Sequence, residues 1–157
     1  MKIAGLVLVY LMSASLAHGQ QDHSAAMNER GDHEMGFAHD KTTHHFELNQ
    51  DGGLIEVRVN DSKDTASLDM IRAHFQHIVK MFAAGNFNAP MLVHGQAVPG
   101  AATMTRLKDD IHWELSEIPR GAQIKIVADS KEASDAIHEF LRYQIADHQT
   151  GDCTAIR

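Results

Sequence analysis

The chain repeats itself, and the repeat limits its fold more than any other feature. His45-Phe46-Glu47-Leu48 is echoed by His112-Trp113-Glu114-Leu115. Each is followed by a glycine-bearing turn, Gly52-Gly53 or Gly121. Each turn runs into an alternating segment, Ile55-Glu56-Val57-Arg58-Val59 against Ile124-Lys125-Ile126-Val127-Ala128. Asp61-Ser62-Lys63 then matches Asp129-Ser130-Lys131, and Ile71-Arg72-Ala73-His74-Phe75 matches Ile137-His138-Glu139-Phe140-Leu141. Glycine closes both copies, in Ala84-Gly85-Asn86 and Thr150-Gly151-Asp152, where a helix commonly ends. Features recurring in one order imply two copies of a single supersecondary unit.

Each unit reads strand–turn–strand–helix. The strands alternate with period two. The helices carry apolar residues at helical spacing, Ile71, Phe75, Ile78 and Phe82 in one and Ile137, Leu141 and Ile145 in the other. One greasy helix face per unit is stable only if the units share a core. The expected class is therefore α+β: an internal ββα–ββα repeat forming a four-stranded, mainly antiparallel sheet with two helices on one face, related by a pseudo-two-fold axis. The half-repeats span 43–86 and 111–152 of a single domain, 43–152. Residues 87–110 join them, a loop by virtue of Pro90, Pro99 and Gly100, with a short helix over 103–110. Residues 153–157 read as a tail. Two sheet edges leave room for a homodimer by edge pairing.

Residues 1–19 read as a cleavable signal peptide. Lys2 precedes the apolar run Ile3 to Leu16, and Ala17-His18-Gly19 supplies small residues for cleavage. The run is too short to span a bilayer, so the mature chain is expected to start near Gln20 or Gln21, in the periplasm or outside the cell. No later segment is apolar enough to cross a membrane. Cleavage removes Lys2 and no acid, so the formal charge moves from −7 to −8. An acidic domain has no electrostatic reason to hold nucleic acid or an anionic membrane. Cys153 is the only cysteine, which excludes an internal disulfide and reads as an idle tail residue.

Residues 20–42 read as a mobile arm, polar and without apolar periodicity. They still carry His23, Met27, His33, Met35 and His39, a mix of imidazole and thioether that suits copper. Gly36-Phe37-Ala38 is expected to pin His39 to the domain.

Histidine is the compositional anomaly: there are twelve in 157 residues, eleven of them past the signal. Neutral imidazole is the commonest protein ligand for Zn, Cu, Fe and Ni. Strand parity aims His44 at the helices with Phe46, and aims His45 and Glu47 at the open face. His74 lies on the apolar stripe of the first helix with His77 one turn on, and His148 continues the stripe of the second. In the repeat, His44 matches Ile111, His74 matches Phe140, His77 matches Tyr143 and His148 matches Phe82. Histidine thus replaces an apolar or aromatic residue in one half only. A buried polar group without a partner costs about 1–3 kcal/mol, so a shared partner is implied. The candidate site is a transition-metal ion, Cu or Zn, held by His44, His74 and His148 with His77 or the loop residue His94. A second cluster would form on the open face from His45, Glu47, His112 and Glu114, if the first strands of the two units were neighbours.

The sequence contains no Gly-x-Ser-x-Gly elbow, Walker loop or His-Glu-x-x-His motif. The leading function is metal buffering, delivery or resistance. The alternatives are a non-metal interaction module, with histidines as structural or pH-sensitive groups, and a small metal- or histidine-dependent enzyme.

Met35-Gly36-Phe37 with Thr42-Thr43-His44-His45-Phe46, and Ile137 to Leu141 with Asp147-His148-Gln149-Thr150-Gly151-Asp152, resemble segments of a group of small exported, histidine-rich bacterial proteins. The resemblance covers most of 33–152. It implies an exported domain holding both histidine-bearing segments, and it carries no activity or site residue across.

Overall fold

The computed structural model describes residues 22–157. The signal segment read at 1–19 lies outside them. A first helix, α1, covers 22–35. A 3-10 turn (His39–Lys41) leads into β1 (Thr42–Asn49) and β2 (Gly52–Val59), then α2 (Thr65–Ala83). Two short helices follow, α3 (Asn88–His94) and α4 (Ala101–Arg106), with a second 3-10 turn (Lys108–Asp110). The chain ends in β3 (Ile111–Ile118), β4 (Gly121–Ala128), α5 (Lys131–Asp147) and an extended tail. No helix among the described residues is long and apolar enough to cross a membrane.

The four strands form one antiparallel sheet in the order β1-β2-β4-β3. Its centre is the pair Ile55–Ile124, and the pairs on either side mirror each other: Leu54 faces Lys125 and Glu56 faces Gln123. This is the register a two-fold axis requires. The central backbones run close, because a Cβ on Gly121 would strike the Val57 carbonyl. The register also corrects the strand alignment. Val57 and Ile126 lie at equivalent distances along their strands from the Ile55–Ile124 pair, and their outer partners are His44 and Trp113. His44 therefore corresponds to Trp113, not Ile111. The matched motifs sit two residues out of step along their strands, a slip that preserves the face each side chain takes.

Asp64 caps α2 by accepting from Ser67 N–H at 3.0 Å, and Ser130 caps α5 by accepting from Ala133 N–H at 3.3 Å. The helices bury Ile71, Phe75, Ile78 and Phe82, and Ile137, Phe140, Leu141 and Ile145, against the sheet. Each such side chain contributes about 1.5–3 kcal/mol through burial. The packing is crossed: α2 lies chiefly on β3 and β4, and α5 on β1 and β2. The two helices meet through Phe82 and Phe140, whose ring centroids are 6.2 Å apart. The space between them is roofed by α3.

Three segments depart from the sequence reading. The arm is helical over 22–35 and seated on the domain, with Met27 only 2% exposed. Its inner stripe is Met27, Gly31 and Met35 at four-residue spacing, too sparse to register as apolar periodicity. Arg30 Nε holds the Val93 carbonyl at 2.9 Å, and His23 Nε2–H donates to Asp147 at 2.9 Å. Gly36, at φ 78, ends the helix in the left-handed conformation. The link 87–110 holds two short helices. Pro90 fits inside α3 because it lies in the first turn, where no N–H is needed. The tail is bound as well: Asp152 accepts from Phe46 N–H at 2.9 Å, and Arg157 N–H donates to the Leu48 carbonyl at 2.9 Å. These contacts occupy two of the outward groups of β1, so β3 is the less covered sheet edge among the described residues.

Candidate functional site

Four imidazoles from four elements meet where the space between α2 and α5 opens under α1 and α3. His44 rises from β1, His74 from α2 and His94 from the end of α3, while His148 is the C-cap of α5. The left-handed Gln149 (φ 52) turns the chain immediately after His148, three residues later than the helix's last apolar position and ahead of Gly151. His44 and His148 stack with ring centroids 5.6 Å apart and planes within 8°. His94 stands edge-on to His148 at 5.1 Å. Phe37, just before β1, stands 6.3 Å from His44 and 5.8 Å from His74. The four imidazoles border an inner cavity of about 90 Å³ whose remaining walls are mostly apolar, including Phe46, Phe75, Phe82 and Phe140.

Burial is the main influence on three of the rings. It pushes the pKa of His44 down to about 3, with the neighbouring His148 and His74 adding to the effect. Burial, with His77 nearby, takes His74 to about 4. Burial and the proximity of His94 take His148 to about 4, against the pull of Asp147. All three are neutral at pH 7 and keep a nitrogen lone pair. None of them hydrogen-bonds a described residue.

His94 is different. It is 3% exposed, with Nδ1 2.5 Å from Asp147 Oδ2 and Nε2 3.0 Å from Gln144 Oε1. Gln144 Nε2 is buried without a partner. Turning the amide over lets Gln144 donate to His94 Nε2 while His94 donates from Nδ1 to Asp147, and one tautomer then satisfies both contacts. Burial works to raise the Asp147 carboxyl, but hydrogen bonds from His94 and His23 hold it below its usual range. Tyr143 also reaches it, at 3.5 Å. His94 is thus a held ring that positions His148, and it lies on a helix rather than a loop.

The remaining histidines are dispersed. His77 is exposed on α2, away from the cavity linings. His45 faces the open side and donates to Asp152 at 3.0 Å. His39 donates to Asp32 at 3.0 Å. His112 pairs with Asp129 at 2.8 Å. The open-face cluster of His45, Glu47, His112 and Glu114 does not assemble, because β1 and β3 are the two outermost strands. His138, passed over in the sequence reading, is buried and donates from Nε2 to the carbonyls of Asn49 at 2.8 Å and Gly52 at 3.0 Å. It ties α5 to the β1–β2 hairpin.

A second, outer cleft of about 320 Å³ lies beneath α1, lined by Met27, Met35, His39, Thr42, His44 and His148 among others. Among the described residues, no three His, Cys, Asp or Glu side chains are gathered as a ready metal site. The cluster can offer nitrogen donors, stack on flat rings or admit a small apolar group. No family model, curated protein or solved structure matches the chain.

Proposed function

We propose that this is an exported protein that binds a transition-metal ion, copper or zinc, through His44, His74 and His148, and serves in buffering, delivery or resistance. One observation carries the reading: three neutral imidazoles from separate elements border one cavity without a hydrogen-bond partner. A ligand that takes their lone pairs stabilises the folded chain by mass action. The Asp147–His94 pair resembles the carboxylate–histidine arrangements that orient metal ligands, and here it braces His148.

The test is calorimetric titration of the chain starting at Gln21 with Zn(II) and Cu(II), alongside the double variant His44→Leu, His148→Leu. About one ion should bind, with affinity falling about tenfold or more in the variant. Equal binding by both proteins, or none above that of a surface histidine, would overturn the proposal and leave the non-metal interaction module. Cell fractionation with N-terminal sequencing checks the export reading, with the mature chain expected to begin near Gln20 or Gln21.

A further inference from the structure

The inner cavity and the outer cleft share three lining residues: Met35, His44 and His148. The two pockets therefore meet at one thioether and two imidazoles. The thioether is delivered by the helix that the sequence presents as an arm. Its methyl lies over Gly31, where an added Cβ would stand 3.3 Å from Met35 Cε, so the bare face of Gly31 gives the side chain room. Met27, one turn before Gly31, lines the same cleft.

We infer that the ion bound here is cuprous copper, with Met35 in place of His74 as the third donor beside His44 and His148, because His74 lines only one of the two pockets. This rests on the metal reading above and revises its third ligand. Zinc favours four donors in a tetrahedron drawn from thiolate, imidazole and carboxylate. Thioether is a soft ligand that selects Cu(I). Charge points the same way. Three neutral donors leave the site with the charge of the ion alone, and solvation cost grows as the square of charge, so a monocation is about four times cheaper to bury than a dication. Glu34 is the one carboxylate along the inner lining, and the outer lining has none. The cleft beneath α1 lies on one side of these donors and the phenylalanine-lined cavity on the other.

The experiment uses the Gln21-to-Arg157 chain with Cys153→Ser, because that exposed thiol would itself take Cu(I). Cu(I) is titrated without oxygen against a chromophoric Cu(I) chelator, and Zn(II) is titrated in parallel. Met35→Leu conserves volume and removes only the sulfur. Cu(I) should bind tighter than Zn(II), and Met35→Leu should weaken Cu(I) by about tenfold or more while Zn(II) stays within about twofold. X-ray absorption of the Cu(I)-loaded parent should show a sulfur scatterer among nitrogens. Preference for Zn(II), unchanged Cu(I) affinity in Met35→Leu, or a parent spectrum without sulfur would each overturn the inference. If Zn(II) still binds and depends on His44 and His148, the metal reading survives this failure. If neither ion binds, both readings fall.

Discussion

Mild acid should destabilise this protein well above the pH at which its carboxylates titrate. In the unfolded chain the rings of His44, His74 and His148 take up protons as pH falls through about 6.5. In the fold they resist protonation down to about 3, 4 and 4. Through that window the unfolded state binds more protons, so stability rises with pH and is lost as pH falls below 6.5. Between about pH 7.5 and 5.5 each ring removes about 1.4 kcal/mol, and the three together about 4 kcal/mol. For a domain of this size that lowers Tm by about 14 °C. Asp147 and Asp152 have pKa values held below the usual range, so their contribution fades only at still lower pH. Circular dichroism melts across the window measure the slope. His148→Phe places a ring like Phe82 at the matching helix position and should flatten the slope by about a third. A Tm that moves by less than about 3 °C, or an unchanged slope in His148→Phe, would refute buried neutral imidazoles as the cause.

Two further outcomes test the frame around the site. His138→Leu should cost about 2–3 kcal/mol in urea unfolding, because the carbonyls of Asn49 and Gly52 lose their buried donor. A loss below about 0.5 kcal/mol would show those carbonyls to be solvated. Deleting 152–157 strips Phe46 N–H and the Leu48 carbonyl of their partners, so light scattering should detect concentration-dependent self-association through β1. A strictly monomeric truncated chain would contradict the edge-covering role of the tail.

The α+β layering was legible because two independent periodicities, two in the strands and 3.6 in the helices, recur in one order. Parity also placed His44 on the helix side and His45 on the open face, since a slip of two residues changes neither. The strand mates were misread because the His-x-Glu-Leu likeness is chemical, whereas register is decided by the Ile55–Ile124 pair. Helix α1 escaped notice because Gly31 and two methionines make a thin stripe, and its docking depends on Arg30 and His23 reaching main-chain and carboxylate groups far along the chain. The site was half legible. The asymmetry of the repeat singled out His44, His74 and His148, but it also nominated His77, whose position on the stripe's margin leaves it in water. Met35 was named in the arm as a thioether suited to copper, but its place beside His44 and His148, like the roles of Gln144 and Asp147, emerged only with coordinates, because it depends on neighbours that spacing does not reveal.

The crossed seating of the helices has a consequence for how the domain can be divided. A cut between α3 and α4 would give an N-terminal piece whose hairpin has lost its main cover and whose long helix has lost its seat, and the C-terminal piece would be its complement. Neither fragment encloses a nucleus of its own, yet each carries what the other lacks. Mixed together, such halves should dock and regain structure, so the domain could serve as a split reporter whose reassembly also rebuilds the wall of rings.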